Sequence, residues 1–182
     1  MIFVGMSLGG SRILPQILSG LGPGFSGTIV VVAHRHRVSE GELVELLQAH
    51  CPLPVSEALD KEVFRQGRVY VAPPDYHLMV EEDHFELSSD EPVNFARPSI
   101  DVLFDSAAEA FGRDAVGVLL TGASSDGARG LARIKEAGGT VIVQDPAEAE
   151  CPIMPDAALS RVSPDHLCRA SEIAAVLLKS PA

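Results

Sequence analysis

Ser7, His34 and Asp126 are the side chains whose types and positions could do acyl-transfer chemistry. Each stands at or just beyond the end of a short apolar run: residues 2–4 precede Ser7, residues 28–33 end on His34, and residues 116–120 precede Asp126. A serine hydroxyl is a weak nucleophile at neutral pH and needs a base to take its proton as it attacks. Imidazole titrates near neutrality, so it can accept that proton and return it to a leaving alkoxide. A carboxylate fixes the imidazole tautomer and stabilises the imidazolium that forms. A tetrahedral oxyanion needs donors, and the backbone near Ser7 and Ala123 offers them at Leu8, Gly9, Gly122 and Ala123. Gly5-Met6-Ser7-Leu8-Gly9 also fits the G-x-S-x-G pattern, in which flanking glycines permit a sharp strand-to-helix turn that exposes the serine.

Each residue has an ordinary structural counterpart. Ser7 and Asp126 both stand before helical patterns, where either would serve as a cap. His36 competes with His34, which is preferred because it directly ends the apolar run. The joint occurrence at three strand ends is what gives the set its meaning. In a parallel sheet all carboxyl ends share one edge, and ligands bind in the crevice there.

The elements that must position these groups are legible in outline. Short β-branched runs alternate with helical patterns, the rhythm of an α/β fold. Strands are expected over residues 2–4, 28–33, 69–72, 116–121 and 140–144, and the second should be buried on both faces because it is apolar throughout. Helices are expected over 11–21, after a capping-box pair at Ser39 and Glu42, after Pro98 with Ser99 as N-cap, over 127–137, and from Ser171, its N-cap, to Lys179. Residues 77–80 and 85–88 read as an antiparallel hairpin. The expected fold is a three-layer α/β/α domain, doubly wound around a mostly parallel sheet with a small antiparallel hairpin, with residues 1–182 as a single domain.

Composition narrows the function classes. The net charge of -11 argues against a phosphate-backbone partner, so no nucleic acid is expected. Cys51, Cys151 and Cys168 are far apart and lack C-x-x-C spacing, so they read as free thiols rather than a zinc or redox centre. No metal or cofactor is implied. Met1 leads into Ile2 without a basic segment, and no apolar run is long enough to cross a bilayer, so a cytoplasmic protein without direct membrane insertion is expected.

Two motifs mislead. Thr121-Gly122-Ala123-Ser124-Ser125 resembles the opening of short-chain dehydrogenases, but Asp126 puts a carboxylate where a pyrophosphate should rest. That pattern also needs a downstream Tyr-x-x-x-Lys, and both tyrosines, Tyr70 and Tyr76, lie upstream. The α/β-hydrolase fold shares the serine turn but orders its triad Ser, acid, His, whereas the order here is Ser, His, Asp. Since the triad recurs on unrelated folds, the order points to a different scaffold.

The chain resembles the catalytic domain of the bacterial chemotaxis protein-glutamate methylesterase family, nearly end to end. The family's G-A-S-T-G-G turn is matched by Gly5-Met6-Ser7-Leu8-Gly9-Gly10, and its I-V-V-V-Q-H strand by Ile29-Val30-Val31-Val32-Ala33-His34. Its Y-I-A-P-x-D-x-H segment is matched from Tyr70 to His77, and R-P-S-V-D-x-L-F from Arg97 to Phe104. L-T-G-M-G-x-D-G is matched from Leu120 to Gly127, and late G-G, Q-D and M-P pairs fall at Gly138-Gly139, Gln144-Asp145 and Met154-Pro155.

The resemblance implies Ser7 as nucleophile, His34 as base and Asp126 as its orienter. It implies hydrolysis of glutamate methyl esters on methyl-accepting chemoreceptors or similar helical receptor proteins, without a cofactor, resetting sensory adaptation. Many such enzymes also deamidate receptor glutamines. The usual receiver domain does not precede the first strand, since Met1 opens it, which leaves either a free-standing enzyme, with a response regulator as a separate partner, or a truncated chain. The chain departs from the family at Met6, at Leu8 in place of threonine, and at Ala123-Ser124 in place of Met-Gly. Those departures motivate a rival expectation, a catalytically silent receptor-binding module on the same scaffold. His77 recurs in the family pattern but reads as a packed structural histidine.

Overall fold

In the computed structural model, residues 1–34 and 41–179 are described. Their elements are β1 (Ile2–Met6), α1 (Gly10–Ser19), β2 (Ile29–Ala33), α2 (Glu42–Gln48), β3 (Val55–Glu57), β4 (Val69–Val71), β5 (His77–Val80) and β6 (Phe85–Ser88). There follow α3 (Ile100–Phe111), β7 (Val116–Leu119), α4 (Ala128–Glu136), β8 (Thr140–Gln144), α5 (Ile153–Leu159), β9 (His166–Cys168) and α6 (Ala170–Leu177).

Seven strands form one sheet in the order β3-β4-β2-β1-β7-β8-β9, and every pairing in it is parallel. β5 and β6 form the expected antiparallel hairpin beside it. The strands are held by alternation: a residue and its successor point to opposite faces. In β2, Ile29 and Val31 join one apolar cluster with α1, α2 and α6, while Val30 and Val32 join the other with α3, α4, α5 and the hairpin. All five residues of β2 are buried, as a strand covered on both faces requires. The three-layer, doubly wound architecture expected from the sequence is the one observed.

β1 lies at the centre, pairing with β2 on one side and β7 on the other. The chain first winds away through β2, β3 and β4, then returns to set β7 against the opposite edge of β1. That reversal is a topological switch point, which opens a crevice at the carboxyl ends of β1 and β7.

Several local expectations are corrected. Ser99 is the N-cap of α3, but its side chain makes no cap hydrogen bond there; the hydroxyl donates instead to Asp126. The last helix starts at Ala170 with Arg169 at its N-cap, so Ser171 lies inside its first turn. The Glu172 carboxylate, three residues into the helix, reaches back to accept the Arg169 N–H at 2.9 Å. Glu42 opens α2 behind Gly41, while Ser39 and His36 lie outside the described residues. β3, α5 and β9 were not read from the sequence; two are three residues long, too short to show a period, and α5 carries Pro155 inside its seven residues.

Candidate active site

Backbone hydrogen bonds zip three strand ends together. The His34 N–H donates to the Met6 carbonyl at 3.1 Å, joining the end of β2 to the residue before Ser7. The Ser7 N–H donates to the Thr121 carbonyl at 3.0 Å, joining the same turn to the segment beyond β7. Ser7, His34 and the loop that carries Asp126 are thus fixed by main chain before any side-chain contact is made. Ser7 and His34 line one cleft of about 630 Å³ together with Asn94, Phe95, Arg97, Ala123 and Ser124.

Asp126 is fully buried and carries a dense set of bonds. Its Oδ2 meets His34 Nε2 at 2.8 Å and accepts the Ile100 N–H at 2.7 Å. Its Oδ1 accepts from the Ser99 hydroxyl at 2.8 Å, the Asn94 amide at 3.0 Å and the Asp101 N–H at 3.2 Å. Burial pushes this carboxyl's pKa up. Hydrogen bonds from His34, Asn94, the Ile100 N–H and Ser99 outweigh it and hold the group below the usual aspartate range. An ionised Asp126 only accepts, so His34 Nε2 carries the hydrogen and Nδ1 holds the lone pair. Nδ1 is the ring nitrogen that Asp126 does not engage, and among the described residues no hydrogen bond joins His34 to Ser7.

The two helices beside the cleft cap one another. Asp126, just before α4, accepts the first two N–H groups of α3, at Ile100 and Asp101. Asp101, in the first turn of α3, accepts the N–H groups of Gly127 at 3.0 Å and Gly130 at 2.7 Å, at the start of α4. Each carboxylate sits at the positive end of the other's helix, where negative charge is favoured. Asp126 is open to reading as a cap of the helix that follows it; it caps the preceding one and bonds His34 at once. The Asn94 amide bridges the pair, reaching Asp101 at 2.9 Å and Asp126 at 3.0 Å.

The oxyanion candidates separate. The Ser7 N–H is committed to Thr121, and the Gly122 N–H to the Cys151 carbonyl at 3.1 Å. The Leu8, Gly9 and Ala123 N–H groups make no hydrogen bond among the described residues. Gly122 matters through its missing side chain: a Cβ there would lie 2.8 Å from the Ser7 Cβ and 2.6 Å from Met154 Cε. Gly9 holds φ at +86° at the head of α1, a left-handed conformation that glycine adopts without a steric cost.

The departures from the family pattern find places. Leu8 projects its side chain outward, 55% exposed, and its carbonyl accepts the Thr121 hydroxyl at 3.0 Å. The Ser124 hydroxyl accepts the Asp126 N–H at 3.0 Å, so this position steadies the backbone of the carboxylate. Met6 is buried beneath the turn. His77, 2% exposed, accepts the Ser99 N–H on Nδ1 at 3.2 Å and meets the Glu91 carbonyl through Nε2 at 3.2 Å. Both ring nitrogens are used in packing the approach to α3, the structural role expected of it.

Sequence reasoning missed Asn94, Ser99 as a partner of Asp126, Asp101, Thr121 and Gln144. The signal available was chemical: Ser99, Asp101, Thr121 and Gln144 are polar residues that the fold buries. Thr121 bonds the Ser7 turn, the Cys151 segment and the Gln144 side chain at once. The three cysteines are unpaired. Among the described residues no histidine, cysteine, aspartate and glutamate side chains gather in the threes that a metal site needs.

The domain is of the parallel, doubly wound α/β class, with Ser7 and His34 lining one cleft and a buried Asp126 bonded to His34. The profile of the CheB methylesterase family matches residues 2–177, and the chain belongs to that family, which places it among the carboxylic ester hydrolases. The crystal structure of the Thermotoga maritima CheB methylesterase catalytic domain superposes with a TM-score of 0.94 at 33% identity, over 98% of this chain and 96% of that one. A Hahella chejuensis protein named protein-glutamate methylesterase/protein-glutamine glutaminase 1 is 40% identical over 96% of this chain, which spans 49% of that relative. A Leptospira interrogans protein given the same double name provisionally is 45% identical over 98% of this chain and 93% of its own length. No helix among the described residues is long and apolar enough to cross a membrane.

Proposed function

We propose that this protein hydrolyses glutamate γ-methyl esters on a helical chemoreceptor, with Ser7 as nucleophile, His34 as general base and acid, and Asp126 as orienter. The observation that carries this reading is the 2.8 Å bond from His34 Nε2 to a buried Asp126, in a ring that shares its cleft with Ser7.

The Ser7 hydroxyl oxygen attacks the ester carbonyl carbon as its proton passes to His34 Nδ1. The carbonyl oxygen becomes an oxyanion, held by N–H groups from among Leu8, Gly9 and Ala123. Collapse breaks the bond to the methoxy oxygen, which takes the proton from His34 and leaves as methanol. Water then adds to the acyl-serine, giving its proton to His34. The second collapse breaks the bond to the Ser7 oxygen, returns that proton to Ser7 and releases the glutamic acid side chain, which loses its own proton to bulk water to become the carboxylate. Asp126 stays ionised throughout and stabilises the imidazolium formed twice in the cycle. A glutamine amide enters the same sequence with ammonia as leaving group, and the double names of the relatives support that second activity.

Resetting a receptor's methylation in this way is a sensory-adaptation step. Its substrate helices lie in the cytoplasm, where the enzyme would act. The test is methanol release from methyl-labelled receptor by wild type and Ser7→Ala. Release by wild type that falls to background in the variant is the expected result; equal release by both would overturn the triad. Absence of release from either folded protein would leave a receptor-binding module without turnover.

A further inference from the structure

We propose that the turn over residues 93–96 is the substrate-recognition element of the cleft, and that Phe95 at its tip is a specificity-determining residue. In this proposal its ring receives an aliphatic side chain one helical turn from the esterified glutamate. It rests on the methylesterase reading above and adds what that reading leaves open, how a protein substrate is told from a bare ester.

Phe95 is fully exposed and lines the cleft beside Ser7 and His34. The other phenylalanines are buried or half-buried. A ring left in water gives up the burial that normally decides where an aromatic residue goes.

The backbone beneath it is strained. Val93 and Ala96 exchange both backbone hydrogen bonds, at 3.1 and 2.9 Å, closing a two-residue turn. Its central residues, Asn94 and Phe95, hold φ at +52° and +62°. Positive φ at both centres is the pattern for which Asn-Gly is the preferred sequence. Asparagine occupies its expected place, but a bulky aromatic stands where glycine would be free of strain. Strain retained at a cleft rim points to function when the surroundings hold it in place.

Those surroundings are visible. The Asn94 amide is clamped between the buried carboxylates of Asp101 and Asp126. The tip of the turn is therefore tied to the same carboxylate that orients His34, and Phe95 stands at a fixed place relative to the reacting atoms. On a helix, residues three and four positions apart share a face, so a glutamate entering the cleft brings such a neighbour to the rim. An aliphatic neighbour would cover the exposed ring. A free ester has no neighbour to offer.

The experiment compares kcat and KM of wild type, Phe95→Ala and Phe95→Gly on two substrates: a methylated receptor helical fragment, and N-acetyl-glutamate γ-methyl ester amide. The ratio of kcat/KM for the receptor to that for the small ester should fall about tenfold in both variants, chiefly through the receptor KM, a change typical of one apolar contact. Phe95→Gly should also unfold at a higher urea concentration than wild type, because glycine relieves the turn. An unchanged ratio would overturn the proposal, and so would a loss shared equally by both substrates. Affinity of the esterified receptor for Ser7→Ala, with and without Phe95→Ala, tests the contact without turnover. About tenfold weaker binding in the double variant supports it even if the wild type hydrolyses nothing, an outcome that would defeat the methylesterase reading alone. Equal affinities would overturn it.

Discussion

The two faces of the central sheet are built on different terms. On the face covered by α1, α2 and α6, the core is apolar, from Leu14, Ile17 and Leu18 through Leu43 and Leu47 to Ile173 and Leu177. The face covered by α3 and α4 has an equally apolar floor, with Phe3, Ile100, Leu103, Phe104, Leu131 and Ile134. At its carboxyl edge, however, it also buries His77, Ser99, Asp101 and Asp126. An apolar core requires volume and pattern, and many sequences satisfy it. A buried polar network has to be satisfied at each member, because one unpaired group in a low-dielectric interior is costly. The first face is scaffold; the second holds its helix ends rigidly enough to aim an imidazole.

The largest effect expected from this contrast is that of Asp126→Ala. It leaves His34, Ser99 and the N–H groups of Ile100 and Asp101 without their acceptor, and Asn94 with Asp101 alone. Stability should drop by about 3–5 kcal/mol in urea titration, and turnover by about 10⁴-fold. A variant as stable as wild type would break the comparison, since the network would then hold nothing together.

Leu18→Ala, on the apolar face at 1% exposure, is the counterpart. It should cost about 2–5 kcal/mol in the same titration while kcat/KM of the folded variant stays within about twofold. Activity falling with stability would mean that the faces are not separable.

Acid titration sharpens the contrast. Asp126 has a folded-state pKa below its unfolded value, which is about 3.9. Its contribution to stability is full above about pH 5, declines as pH falls past the unfolded value and is gone below the folded one. The stability gap between wild type and Asp126→Asn should stay constant from pH 7 to about pH 5 and narrow in stronger acid. A gap that widens in acid would reverse the assignment of charge. For Leu18→Ala the gap should not depend on pH over that range.

The smallest effect is that of Gly122→Ala. Its new methyl would press on Met154 Cε and on the Ser7 Cβ. The methionine end can shift, so a cost of about 1–3 kcal/mol is expected, with kcat reduced as Ser7 moves. Full activity in this variant would show that the Ser7 turn tolerates displacement.

Much of the scaffold was legible because its signals are local. The run over residues 28–33 announced a strand buried on both faces, and β2 is one. The hairpin at 77–80 and 85–88 was read to the residue. Short elements escaped for the converse reason, since β3 and β9 are too brief for periodicity to declare a face. Caps were read least well: Ser99 and Ser171 have cap-like types, yet the acceptors that serve those helices are Asp126 and Glu172.

The sequence by itself determined the alternation of strands and helices and placed a hydroxyl, an imidazole and a carboxylate at the ends of three apolar runs. Parallel strands then require those ends to share an edge, whatever the details of packing. Only the tertiary structure decided that Asp126 caps α3 while Asp101 caps α4, that Asn94 joins them, and that, among the described residues, the Gly122 N–H is taken while those of Leu8, Gly9 and Ala123 are not. These are contacts between groups distant in sequence, fixed by how α3 lies against α4. A hydrogen bond depends on distance and angle to within tenths of an ångström, and no local pattern of residues encodes that.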